Sequence, residues 1–355
     1  MQLPLRYMPI LAGALALTGL AGTASAATEL NMGGSSAGKN FATDVPLDLC
    51  DASPLPSRYS TADNNKIVWV CKRGGLDVIM RYSATGSSDG VNKLLQLASD
   101  PASNMLHLDH TLTTGCTGPT LTTRPGTVPK SYNNTINCNN GNTISLPTHM
   151  GASDVQGSSF HQTGPTGTTV SALDDTTLNS VVTAIVPFSI YTGKGVVKLD
   201  SAGTAPNGKI DGLSRLQVEQ IFSRSVTDWT RLGFGTVTDG APGTLEATSP
   251  IVLCLRNAGS GTKAAFDETL MINATESSVA TGSVVFSSST SGVFTCLAAN
   301  RRSIGYAAAD QVGDDVLVAG DALDFDRRGT GLHQGTGDPH RLVAPQPHAE
   351  KRHVG

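Results

Sequence analysis

No two cysteines in this sequence are spaced as C-x-x-C, and charged residues make up only 15% of it. Each scarcity excludes a class of function. Without C-x-x-C the usual ligand spacing of a zinc site is missing, so no metal is expected. Lys and Arg number 25 against 29 Asp and Glu, for a net charge of −4 and a pI near 6.0. No Lys/Arg run lies outside the C-terminal tail, so nothing makes a cationic stripe for nucleic acid. Long apolar runs are missing too. No stretch after the N-terminus reaches the roughly eighteen uncharged apolar residues of a membrane-spanning helix, and the mature chain is expected not to span a membrane.

The N-terminus sets the compartment. Arg6, the apolar run Met8 to Leu20 and the small residues Ala24-Ser25-Ala26 read as a secretory signal cleaved after Ala26, which places the protein in the periplasm or outside the cell. Export makes disulfides the natural reading of the six cysteines. Six allow fifteen connectivities. The sequential one is expected: Cys50–Cys71, Cys116–Cys138 and Cys254–Cys296. The chain beyond the signal is long enough for two domains of ordinary size.

Small-residue turns carry the chemistry. Arg256-Asn-Ala-Gly-Ser-Gly-Thr262 follows the apolar strand-like Ile251–Leu255 and leads into the helical run KAAFDETLM. Glycines let several N–H groups converge there. The helix start adds free amides and the positive end of its dipole, and Arg256 can meet an anion with paired donors. GGSSAGKN, residues 33–40, lies between a short strand and a helix over about 37–49. It matches a phosphate loop except that Asn40 stands where a magnesium-binding Ser or Thr belongs. An anion-binding turn at Ser36 and Ala37, or a plain helix cap, are the readings left. Asp77–Ser83 alternates as a strand. After ATGSSDG come Val91, Leu94, Leu95 and Ala98 at helical spacing, so Ser87 opens a helix as a donor or as a cap. Met150-Gly-Ala-Ser-Asp154 ends in a carboxylate.

Elsewhere the sequence is plainer. Residues 50–75 read as a cysteine-stapled loop, and 100–148, rich in Thr, Asn, Gly and Pro, as a disulfide-pinned insertion. His107 and His110 are three apart but have no accompanying ligand pattern. VVTAIVPFSIY, residues 181–191, is a strand redirected by Pro187. Ser214 and Gln217 form a capping box ahead of Val218, Ile221 and Phe222, and Ser303–Ala307 is a short strand. From Asp324 the chain is rich in Arg, His, Pro and Gly and is expected to be disordered, or aberrant through a shifted frame or truncation.

The order GGSSA, ATGSSDGV, GASD, IVPF, LSRLQVEQIFSRSVTDWTRLG, RNAGSGT and SIGY resembles the phosphate-binding protein of bacterial phosphate ABC transporters. This is the PstS-like branch of the type II periplasmic solute-binding proteins, and the resemblance runs over roughly residues 30–310. It implies an α/β, two-domain clamp with crossover hinge strands. Its ligand would be inorganic phosphate, its partner an inner-membrane ABC permease, with no cofactor and no catalytic residue. By position, Ser36 and Ala37 match the first ligand turn, Ser87 the second and Asp154 the third; Arg256, Ser260, Gly261 and Thr262 match the ligands of the other domain. Domain one would be 27–187 plus 306–323, domain two 188–305, with crossings at Pro187–Tyr191 and Ser303–Tyr306. The sixty-odd residues between GSSDG and GASD, and the tail, depart from the family pattern.

Two other readings compete. GSSAG and GSSDG both fit the G-x-S-x-G nucleophile elbow, naming Ser36 or Ser88 with His161 as base. Alternatively the fold binds an anion as an exported scavenging or adhesion module with no transporter attached.

Overall fold

The structure is a computed structural model that describes residues 27–308, apart from 98, 126–128, 183–186, 211, 239–242, 273 and 279, together with 322–325 and 332–334. The signal segment and most of the tail lie outside the described residues.

The first half contains β1 (Thr28–Gly34), α1 (Lys39–Leu49), β2 (Ser57–Thr61), β3 (Lys66–Arg73), β4 (Leu76–Ala84), α2 (Ser87–Leu95), β5 (Asn104–Leu108), β6 (Thr120–Arg124), β7 (Lys130–Cys138), β8 (Thr143–Pro147) and β9 (Met150–Ala152). The second half contains β10 (Phe188–Thr192), β11 (Val196–Lys198), α3 (Arg215–Phe222), β12 (Phe234–Thr236), β13 (Val252–Arg256), α4 (Gly261–Leu270), β14 (Val284–Ser287), α5 (Thr290–Ala299), β15 (Ser303–Ala308), β16 (Ala322–Phe325) and β17 (Leu332–Gln334). This is the expected mixed α/β class. Of the two large sheets, the first runs β6-β7-β2-β3-β4-β1-β9 and the second β14-β13-β15-β10-β16-β17, while β11-β12 and β5-β8 form two-stranded pairs.

Both sheets are wound the same way where it matters. In the first, β1 lies between β4 and β9, parallel to both. In the second, β13 lies between β14 and β15, again parallel to both. The chain leaves the central strand through one helix to one side and returns through another helix to the other side. That reversal opens a crevice beyond the strands' C-terminal ends, where α/β sheets bind ligands. Each sheet therefore presents the turns that follow its strands at one edge.

The first sheet is covered on both faces. Ile67, Trp69 and Cys71 of β3 pack with Leu47, Met80 and Tyr132, while Val68 and Val70 pack with Leu108 and Cys138. A strand apolar on both faces reads as a continuous run rather than an alternating one. Within α1, Pro46 has no N–H to give the carbonyl four residues back; the indole of Trp69 donates to that carbonyl, on Ala42, at 3.3 Å.

Several expectations are corrected. Residues 50–75 are not a loop but carry β2 and β3, joined through a turn with Asn64 at φ 53°. The 100–148 segment is not a mere insertion: β6 and β7 extend the first sheet, with β7 parallel to β2, and β5 pairs with β8 as a ribbon whose Leu108 covers the sheet's second face. Its Thr- and Asn-rich strands need only one apolar face. Tyr306 does not cross back to the first sheet: β15, buried along its whole length, stays between β13 and β10. Of residues 306–323, those at 309–321 lie outside the described residues, and Ala322 and Leu323 pair with β10. The tail, expected to lack structure from Asp324, contains the end of β16 and all of β17, which pair antiparallel. In the described residues the chain passes from one sheet to the other once, between Ala152 and Phe188.

The disulfide and helix-cap expectations hold. All three disulfides are the sequential pairs. The capping box on α3 is complete: the Gln217 N–H donates to the Ser214 hydroxyl and the Ser214 N–H to the Gln217 carboxamide. Among the described residues no helix is long and apolar enough to cross a membrane.

Candidate ligand-binding site

Four strand-to-helix turns and the turn that follows β9 meet between the sheets. The first starts at Gly34, whose φ of 128° suits only glycine and where an added Cβ would lie 2.1 Å from the Ala152 carbonyl oxygen. Next, the Ser35 hydroxyl accepts from the N–H groups of Ala37 (3.0 Å) and Gly38 (3.3 Å), satisfying free amides at the start of α1, and donates to Asp154. Tyr82 secures the same turn by donating to the Ser35 carbonyl. Ser36 and Ala37 are thereby held buried.

The second turn, at Gly86, is tied to the first by a bond from the Gly86 N–H to the Gly34 carbonyl at 2.7 Å and presents the buried Ser87 at the first position of α2. The third brings Asp154 beyond β9, close to the first through the Ser35 N–H donating to Ala152 at 2.8 Å.

The fourth turn comes from the other sheet. Gly259 takes φ 84°, and Ser260 caps α4 by accepting from the Lys263 N–H. Gly261 comes so close to the first sheet's turns that a Cβ would lie 2.5 Å from the Ser87 hydroxyl and 2.7 Å from the Asp154 side chain; only glycine fits. Thr262 donates to Asp154 Oδ2 at 3.3 Å, and the Ser88 N–H donates to the Gly259 carbonyl at 3.0 Å.

Arg256 lies at the centre, 1% exposed. Its Nη2 donates to the Ser36 hydroxyl at 3.0 Å and to the Ser288 carbonyl at 3.4 Å. Its Nη1 donates to Thr290 Oγ1 at 3.0 Å, on the fifth turn, between β14 and α5. Its Nε has no partner among the described residues. Burial pulls the guanidinium's pKa down, with Tyr306 and Asp154 acting in the opposite sense; an arginine remains a cation regardless. The contrast with Lys263, one turn into α4 and equally buried, is informative. Lys263 is paired with Glu276 and with Asp267, whereas no carboxylate among the described residues forms an ion pair with Arg256. A buried charge without a counter-charge is costly.

All eight residues singled out from the sequence therefore gather at one place. Asp154 is the most exposed of them, lying at the rim with both carboxylate oxygens accepting hydroxyl protons. Three further contributors were missed: Ser35, Ser288 and Thr290. Phe286-Ser-Ser-Ser-Thr-Ser-Gly292 joins the end of an apolar strand to the start of a helix, the same signature as the other strand-to-helix turns, and it would have pointed to the last two. The elbow serines have no histidine partner among the described residues. The Ser36 hydroxyl is engaged by Arg256, and His161 is exposed. Nor is any group of three His, Cys, Asp or Glu among the described residues placed to hold a metal.

Residues 181–335 match the PBP superfamily domain, in accord with the resemblance over the second sheet. No curated protein matches the chain. Among solved structures, it is similar to a protein described as a phosphate ABC transporter substrate-binding protein, with bound phosphate, from Clostridium perfringens, at 15% identity over 81% of this chain and 73% of that one, TM-score 0.39. PstS from Borrelia burgdorferi gives 13% identity, 79% and 70% coverage and a TM-score of 0.27. An ABC-type phosphate transport receptor from Vibrio cholerae gives 17%, 43% and 62%, with a TM-score of 0.26.

Proposed function

We propose that this chain is an exported solute-binding protein that captures inorganic phosphate between its two sheets and delivers it to an ABC permease of the inner membrane. The observation that carries the anion is Arg256: a buried cation with no ion-paired carboxylate among the described residues, ringed by hydroxyls and by the N-termini of α1, α2 and α4. An oxyanion entering such a cleft loses its water and needs a donor for nearly every oxygen. Ser36, Ser87, Ser260 and Thr262 supply hydroxyls, Gly261 supplies an N–H group and Arg256 supplies the charge; the Ala37 N–H, which donates to Ser35 in the structure, serves the ligand only by turning from it. Each charge-assisted bond contributes roughly 1.5–3 kcal/mol net.

Asp154 narrows the anion to one that carries a proton. Thr262 has one hydroxyl proton, and in the structure Asp154 takes it. A ligand O–H that donates to Asp154 frees Thr262 to donate to the ligand. Hydrogen phosphate has that proton at neutral pH and sulfate does not.

Calorimetry with phosphate and sulfate tests this. Phosphate is expected to bind and sulfate to bind far more weakly, and Arg256→Ala to weaken phosphate at least about tenfold. Absence of phosphate binding, or an Arg256→Ala variant of unchanged affinity, refutes the reading.

A further inference from the structure

Beside the ring of donors lies a cavity of about 110 Å³. Thr85 and Ser88 wall it from the first sheet's side, Asn257, Ser260 and Ser288 from the second's, and Arg256 closes it inside. It shares Arg256 and Ser260 with the ring but touches none of Ser36, Ala37, Asp154 and Thr262. An oxyanion held by the ring therefore has this space next to it rather than around it.

Its chemistry is narrow. Hydroxyls and one carboxamide make up the walls, the only apolar side chain is the methyl of Ala258, and neither a carboxylate nor an aromatic ring is present. Such a wall offers nothing to an apolar group and no counter-charge to a second cation. It does offer both donors and acceptors to alcohol groups. Measured this way a water needs roughly 10–15 Å³, so the space takes several waters or a chain of about three carbons with its hydroxyls. A hydroxylated chain reproduces the hydrogen bonds of the waters it displaces, which an apolar one cannot. Thr85 and Ser288 are exposed, so the cavity reaches the surface and the far end of a substituent can meet solvent.

We propose that the cleft also takes phosphate monoesters with a short hydroxylated substituent, the phosphate on the ring and the substituent in this side cavity. The proposal rests on the phosphate reading above. Calorimetry on the full chain with inorganic phosphate, glycerol 3-phosphate and phenyl phosphate tests it, together with Thr85→Leu and Asn257→Leu, which fill the cavity and lie outside the ring. Asp154 calls for the ester's monoanion, whose remaining P–OH donates to it. At about pH 6, where that form is abundant, glycerol 3-phosphate is expected to bind within about tenfold of inorganic phosphate, and phenyl phosphate at least about tenfold more weakly than the glycerol ester. Each substitution is expected to weaken the glycerol ester about tenfold while leaving inorganic phosphate unchanged. Three results overturn the side cavity and leave the phosphate reading standing: phosphate binding with no ester binding, substitutions that weaken both ligands equally, or phenyl phosphate binding as tightly as the glycerol ester. Failure of inorganic phosphate itself to bind overturns both.

Discussion

Asp154 is bound by hydroxyls from both sheets, Ser35 on one side and Thr262 on the other, so it joins the two halves as well as facing their cleft. An amide in its place keeps the shape but adds donors and removes the charge, and so no longer discriminates against an unprotonated dianion. Asp154→Asn is expected to shrink the phosphate-to-sulfate affinity ratio at least about tenfold, mainly through tighter sulfate binding. Calorimetry with both anions measures this; an unchanged ratio removes Asp154 from the selection. The eight positions were legible because the order of small-residue turns resembles that of a known family, and all but Asp154 also lie at a turn between an extended and a helical stretch. Their partners were not. That Arg256 bonds Ser36, 220 residues away, and Thr290 depends on how two sheets are placed, which local pattern does not encode.

At the level of elements, β5 lies over the first sheet through a buried histidine. His107 Nδ1 is 3.0 Å from the Ser83 hydroxyl on β4, Nε2 has no partner among the described residues, and burial, aided by the nearby Arg81, His149 and Lys66, pulls its pKa down to about 4. Folding therefore favours the neutral ring. Below an unfolded-state pKa of roughly 6.5 the unfolded chain binds a proton that the folded one refuses, so stability falls as pH drops from about 6.5 toward 4. The loss is on the order of 3 kcal/mol when complete. Urea unfolding at pH 7 and pH 4.5 checks it by comparison with His107→Gln: the native chain is expected to lose more stability on acidification than the variant, and equal losses refute the assignment. The sequence showed β4 and α2 clearly because their apolar residues alternate or recur at helical spacing. It hid β2, β3 and the strands of 100–148, where burial on both faces or on one sparse face leaves neither period visible.

Across the whole molecule, the connecting segment after Asp154 packs between the halves. Phe160, fully buried, contacts a cluster with Val91 of α2 and Ala264 of α4, joined by Leu95, Val155, Val170 and Leu173. A two-part clamp closes when contacts made only in the closed form outweigh the cost of closing. Removing this side chain takes away apolar burial that spans both halves, a loss of about 3–5 kcal/mol for a buried phenylalanine. Phe160→Ala is expected to weaken phosphate at least about tenfold, measured by calorimetry. Unchanged affinity alongside reduced urea stability would show that the contact does not depend on closure.

From sequence alone came the class of the fold, the disulfide pairs, the strand–turn–helix units and the residues of the donor ring. The strand–turn–helix units are local, read from a period, a cap or a glycine, and the even number of cysteines suggested disulfides, whereas the clamp class and the residues of the ring came through the family resemblance. The tertiary structure decided what those residues face. It set Gly261 against Ser87 and Asp154, left Arg256 buried among hydroxyls with no ion-paired carboxylate among the described residues, kept β15 within the second sheet, and opened a polar cavity on one side of the ring. These depend on distances between segments a hundred or more residues apart, set by the packing of the two sheets and beyond the reach of any window along the chain.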